Sequence, residues 1–198
     1  MLLGKIIATV LRPFIFLFHP WRVTGRENLP KEGAVILCSN HLSNWDPAFL
    51  ILCLPRRVCF MAKAELFRFK PMGALISHLF GAFPVARGKG DTGALHMAED
   101  VLARGEVLGI FPEGTRSRDG RMLRFKSGAS LIAARSGATV VPCGIDRRSR
   151  VFRRVNIRIG KPITVEELQL TGESPNLRHA TRLLMARVQE LSGQESAQ

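Results

Sequence analysis

The chain predicts an α/β domain with a mostly parallel central sheet flanked by helices. Three observations predict it. From residue 21 onward, short apolar runs alternate with stretches of helical periodicity. Several of those runs, such as Ala34–Cys38, are continuously apolar, the pattern of a strand buried on both faces. Polar links rich in Gly, Pro and charge follow the runs, where ligands gather in such sheets.

The elements follow in order. Met1 to Phe18 is apolar but interrupted by Lys5, Arg12 and Pro13. Its charge-free runs fall short of the roughly 20 residues a spanning helix needs. No small-residue cleavage site follows, so a cleaved signal peptide is not expected. On a helical wheel Leu3, Ile6, Ile7, Val10, Leu11, Phe14, Leu17 and Phe18 share one face, and Lys5, Thr9 and Arg12 the other. This predicts an N-terminal amphipathic helix in residues 1–20, lying in a membrane interface. Phe16, on the polar side, suits lipid better than a protein core. Residues 21–192 are expected to form the α/β domain, and 193–198 a disordered tail.

Within the domain, strands are predicted at Ala34–Cys38, Val58–Ala62, Ala82–Ala86, Val107–Phe111, Thr139–Val141 and Val155–Ile159. Asp46-Pro47 reads as a helix start, with Asp46 the N-cap and Pro47 the first helical residue; Pro55 ends that helix. Helices are also predicted over Ala64–Phe80, from Asp91 to about Arg104, over Lys126–Arg135 ending at Gly137, and over Asn176–Leu191.

Composition narrows the function. With 198 residues the chain buries a full core, and 46% hydrophobic content excludes disorder. The 29 Lys+Arg against 16 Asp+Glu leave +13, which calls for anionic partners: a membrane surface, an acidic protein or nucleic acid. Two Trp, no Tyr and no recognition motif argue against nucleic acid. Cys38, Cys53, Cys59 and Cys143 form no C-x-x-C pair and read as buried reduced thiols, with no metal site.

Three polar links carry candidate chemistry. The first holds His41 and Asp46. In a regular helix five residues place them about 140° apart, so they meet only across a turn. Two readings fit: a general base oriented by a carboxylate, or a loop histidine beside a helix cap. The second runs Phe111-Pro112-Glu113-Gly114-Thr115-Arg116-Ser117-Arg118 after a strand, a loop able to cradle phosphate although it is not a P-loop. The third places Arg87 and Lys89 in a Gly-rich turn. The second and third also fit solvated turns. Arg147, Arg148, Arg150, Arg153, Arg154 and Arg158 make a basic patch about a predicted hairpin. It suits anionic lipid, an acidic carrier protein, coenzyme A phosphates or plain solvent.

Taken together these residues resemble the glycerolipid acyltransferase family. Asn40, His41 and Asp46 match its N-H-x4-D block. Lys63, Glu65, Leu66, Gly73, Gly81 and Arg87 match the second. Phe111 to Ser117 match the third without departure, and Val141, Pro142 and Ile145 the fourth. The match covers about residues 20 to 165. The resemblance implies transfer of a fatty acyl group from a thioester to the sn-2 hydroxyl of lysophosphatidic acid, giving phosphatidic acid in phospholipid synthesis. His41 would be the base and Asp46 its orienting partner, with no acyl-enzyme. Arg116, then Arg87, with Gly114 and Thr115, would hold the substrate phosphate. Pro112, Glu113 and Ser117 would shape that loop, and Lys63 and Glu65 belong to the second block. No cofactor is implied. The acyl donor is either acyl-carrier-protein or coenzyme A thioester, and the place is the cytoplasmic face of the cell membrane, as a monotopic or peripheral protein. A different lyso-lipid or an ornithine-type acceptor stays open, as does a non-enzymatic membrane or nucleic-acid binder.

Overall fold

The computed structural model describes residues 12–63, 83–85, 92–148 and 150–196. Among these residues seven strands form one sheet: β1 (Trp21–Thr24), β2 (Val35–Ser39), β3 (Val58–Lys63), β4 (Phe83–Val85), β5 (Val107–Ile110), β6 (Thr139–Ile145) and β7 (Val155–Ile159), in the order β1-β7-β6-β2-β5-β3-β4. Every pairing is parallel except β6 with β7. The helices among the described residues are α1 (residues 12–18), α2 (Asp46–Cys53), α3 (Thr92–Ala103), α4 (Gly128–Ser136) and α5 (Leu177–Ser192).

Alternation along the buried strands splits the core in two. Ile36, Cys38, Leu108 and Val140 face a cluster that takes Ala98, Val101 and Leu102 of α3, Ile132 of α4, and Leu184 and Val188 of α5. Val35, Leu37, Val107 and Val141 face a second cluster with Phe49 and Leu50 of α2 and with Trp21. Both faces are therefore apolar, which is why β2 reads as an unbroken apolar run. Side chains entering these cores contribute roughly 1.5–3 kcal/mol each for Val, Leu, Ile or Phe.

Several expectations need correcting. β1 was not predicted: four residues, WRVT, give too little pattern, and its partner β7 lies far along the chain. β6 does not stop at Val141 but runs through Pro142 to Ile145. Pro142 lacks an N–H, but pairing with β7 begins only at Cys143, and its carbonyl still accepts the Gly160 N–H at 2.8 Å. Asp46 is the first residue of α2 rather than its cap. Trp45 occupies the cap position without a side-chain bond, because the Asp46 carboxylate is committed upstream. α4 starts at Gly128, since the Lys126 N–H donates to the Pro112 carbonyl at 2.9 Å. It ends at Gly137, whose φ of 66° suits glycine.

The expected disordered tail is ordered through residue 196. Gln194 is buried, the Met122 N–H donates to the Glu195 carbonyl at 2.8 Å, and Ser196 bridges to Met122. α5 can lie this close because Gly144 of β6 has no side chain: a Cβ there would stand 2.3 Å from the Ser192 nitrogen. Phe16 also finds a protein partner, packing edge-on against Trp21 at 4.9 Å. The helix expected over Ala64–Phe80 and the first eleven residues lie outside the described residues. No helix among the described residues is long and apolar enough to cross a membrane.

Candidate active site

β2 and β5 are parallel neighbours, with Cys38 opposite Ile110. The link that follows β2 and the loop that follows β5 therefore leave the sheet side by side, at the carboxyl ends of the strands. The first brings His41 and Asp46, the second Phe111 to Ser117.

The turn that spacing required is present. His41 Nδ1 lies 2.9 Å from Asp46 Oδ2. The same oxygen accepts the N–H groups of Leu42 and Ser43, each at 2.6 Å. Three donors on one oxygen hold the fully buried carboxylate, and hold the link curled around it. Asp46 Oδ1 is buried without a hydrogen-bond partner among the described residues. With Nδ1 donating to the carboxylate, the imidazole keeps its lone pair on Nε2. It can take a proton there, and the carboxylate stabilises the imidazolium formed.

The ring is held by more than Asp46. Phe111 stacks on it, centroids 4.1 Å apart and planes 16° from parallel, and Phe60 stacks on Phe111 at 5.3 Å. Phe60 fits because Gly109 carries no side chain; a Cβ there would lie 2.2 Å from its ring. Sequence reading gave Phe111 no role beyond the motif and passed over Phe60 and Gly109.

Glu113 ties the two loops together. Its Oε1 accepts the His41 N–H at 2.7 Å and its Oε2 the Leu123 N–H at 3.0 Å. Burial pushes its carboxyl up to about 7, against those two bonds, and the nearby Asp46 charge adds to the rise. The Ser117 N–H donates to the His41 carbonyl at 2.9 Å, a second suture. Pro112 and Ser117 are buried, so they shape the loop from inside; the Ser117 hydroxyl donates to Asp119. Gly114, Thr115 and Arg116 are exposed, with Gly114 at φ 70°. Lys63 closes β3, while Glu65 and Arg87 lie outside the described residues.

Two contributors, Arg148 and Gln194, had no signal in the motifs. Arg148, read as one of a basic patch, is a strut: its guanidinium donates to the carbonyls of Leu42 at 3.2 Å, Ser117 at 2.8 Å and Arg118 at 2.9 Å. Asn40, beside His41, holds both the N–H and the carbonyl of Ile145, at 2.7 and 2.8 Å. Its amide also donates to Gln194, whose own amide donates to the Gly120 carbonyl. Gln194 thus spans the link after β2 and the end of the loop after β5.

Thiol and hydroxyl groups near the imidazole are poorly placed to attack. Cys38 and Ser39 are buried, and burial pushes the Cys38 thiol far above its ordinary range. Burial also lifts Cys53 and Cys59 to about 12, and Cys143 higher still. Among the described residues no group of His, Cys, Asp and Glu could hold a metal ion. Beside Phe111, Pro112 and Gly114 opens an apolar cleft of about 370 Å³, lined by Met61, Ile110, Leu131 and Ile132 and by Lys126.

Known proteins resemble the chain in sequence and in fold. It is 29% identical over 194 residues to a 1-acyl-sn-glycerol-3-phosphate acyltransferase of Bacillus subtilis, spanning 94% of this chain and 96% of that one. A protein of the same name from Borreliella burgdorferi is 33% identical over 132 residues, 66% of this chain and 52% of the relative. The crystal structure of the 1-acyl-sn-glycerophosphate acyltransferase of Thermotoga maritima matches with a TM-score of 0.72 at 27% identity, covering 98% of this chain and 83% of that one. Residues 20–146, which carry both loops, match the family model described as Acyltransferase, and the chain belongs to that family.

Proposed function

We propose that the protein transfers a fatty acyl group from an acyl thioester to the sn-2 hydroxyl of 1-acylglycerol-3-phosphate, giving phosphatidic acid. The observation that carries this reading is the buried Asp46 carboxylate bonded to His41 Nδ1, beside an exposed Gly114-Thr115-Arg116 turn, in a chain of this family. Nε2 of His41 takes the proton from the glycerol hydroxyl as its oxygen attacks the thioester carbonyl. The thiolate then leaves, and the imidazolium returns the proton to it. No residue is acylated, which agrees with the deep burial of Cys38 and Ser39. Arg116 meets the phosphate, with Arg87, Gly114 and Thr115 in the same role. Pro112, Glu113 and Ser117 hold the loop's shape, and the apolar cleft beside Phe111 receives an acyl chain. Lys63 and Glu65 serve from the second block. The donor is an acyl-carrier-protein or coenzyme A thioester. The protein works from the cytoplasmic face of the membrane, held there by α1.

Product analysis by mass spectrometry, with lysophosphatidate and each thioester in turn, tests the activity and separates the donors. His41→Ala is expected to lower turnover by at least about 10²–10⁴, with an unchanged circular dichroism spectrum. A folded variant of near-native activity would refute the base. Arg116→Ala is expected to raise KM for lysophosphatidate well above any change in KM for the donor; equal changes would reject the phosphate contact.

A further inference from the structure

Most of the large apolar side chains left exposed among the described residues gather in one place; Leu131, at the apolar cleft, stands apart. Phe14, Leu17 and Phe18 lie along α1, Val151 and Phe152 at the tip between β6 and β7, and Trp45 just before Asp46. The three segments meet. Phe18 and Phe152 have ring centroids 5.9 Å apart, the Phe152 N–H donates to the Phe18 carbonyl at 2.7 Å, and the next residue after Phe18, His19, packs its ring 4.7 Å from Trp45. An apolar patch assembled from three distant parts of the chain marks an interaction surface rather than chance exposure.

The tip itself is unusual. Phe152 is 70% exposed and adopts φ 60°, a left-handed conformation that a bulky aromatic rarely takes. Such strain persists where surroundings enforce it, and it collects at functional segments. Here the backbone is pinned by the bond to Phe18 and by the Arg153 N–H donating to the Arg150 carbonyl at 3.1 Å, and the ring is left pointing to solvent. The flanking cations are Arg12 beside Phe14, and Arg150, Arg153 and Arg154 beside Phe152. None of these four makes an ion pair among the described residues.

We propose that the β6–β7 tip, Val151 and Phe152 with Arg150, Arg153 and Arg154, is a second membrane-inserting element. With α1 it seats the mouth of the site on an anionic bilayer, and Trp45 stands where the acceptor lipid enters. Apolar tips ringed by arginine match an interface that is hydrocarbon below and phosphate at its rim. The inference rests on the reading of the acceptor as a membrane lysolipid. It explains how such an acceptor reaches His41 without leaving the bilayer: Trp45 adjoins both the apolar patch and the residue that orients the base.

Flotation of the full chain with phosphatidylcholine vesicles, with and without phosphatidylglycerol, tests it. Val151→Ser with Phe152→Ser is expected to lower the vesicle-bound fraction about tenfold, and to lower turnover of vesicle-borne lysophosphatidate in proportion. Turnover of a monomeric short-chain lysophosphatidate stays within about twofold. Arg150, Arg153 and Arg154→Gln together are expected to lose only the preference for anionic vesicles. Phe152→Gly separates a membrane role from a structural one: glycine relaxes the left-handed backbone, so Tm holds or rises while vesicle binding falls. A Phe152→Gly variant that loses stability and keeps binding overturns the proposal. So does flotation of the double serine variant equal to the parent. A parent that sediments as a dimer without lipid, with a monomeric but normally floating variant, would assign the patch to self-association instead. Flotation does not depend on turnover, so a parent without acyl transfer would count against the acyltransferase reading while the vesicles still decide the anchor.

Discussion

Glu113 shows what a single carboxyl does here. Its two oxygens hold the N–H of His41 and that of Leu123, so it fixes the backbone from which the imidazole projects. Burial sets its pKa near 7 in the folded chain, against 4.5 for an ordinary glutamate. The folded state therefore binds a proton that the unfolded state has released between those values. The stability this group contributes is full below about pH 4.5 and is lost as pH rises through about 7. At about 1.4 kcal/mol per pKa unit the swing is on the order of a few kcal/mol. Glu113→Gln removes the titration, so the Tm of the parent minus that of the variant is expected to be larger at pH 5 than at pH 8; a difference independent of pH would reject it. At this scale the sequence was partly legible. His41 and Asp46 announced themselves by type and spacing, but nothing in the spacing told that Asp46 Oδ2 also collects two backbone amides. The stack of Phe111 on the imidazole is likewise a tertiary contact between two loops.

Among elements, α5 and the segment after it matter most to the site. Gly144 lets the end of α5 approach β6, and this delivers Gln194 to Asn40 and Gly120. Gln194 touches no reacting atom; it is a positioning residue. Gln194→Ala leaves the Asn40 amide and the Gly120 carbonyl short of a partner and frees the two loops to shift. The expected outcome is a kcat lowered about tenfold or more with little change in donor KM. A ratio of kcat for Gln194→Glu to kcat for the parent at the same pH that rises as pH falls, where a protonated carboxyl can again donate to Gly120, would show that the bridge and not bulk is at work. A variant that keeps native kcat would dismiss the bridge. Most strands and helices were legible because their apolar periods are strong. The exceptions have physical causes: β1 is an edge strand of four residues, Pro142 disguised the length of β6, and the tail's anchoring depends on partners 74 and 154 positions away.

On the scale of the molecule, two parallel neighbours, β2 and β5, place His41 and the Phe111–Ser117 loop side by side at the carboxyl ends of the strands. That juxtaposition follows from the α/β pattern, and it is why motifs separated by some seventy residues could be read as one site. Charge acts over the same scale. A net +13, with arginine flanking the apolar patch, predicts that binding to anionic vesicles weakens as salt rises from about 0.1 M towards 1 M, where the screening length falls from about 10 Å to about 3 Å. Binding to neutral vesicles is expected to be indifferent to salt. Flotation at the two salt concentrations checks both; equal salt response on the two vesicle types would remove the electrostatic component.

The clasp between Asn40 and Gln194 also sets an order in time. A ribosome delivers His41 early, yet the link that carries it is not closed until residue 194 has emerged, 154 positions after Asn40. A nascent chain halted short of that point would carry both loops without the clasp that joins them, so the link takes its final form only after α5 and the segment behind it have been made.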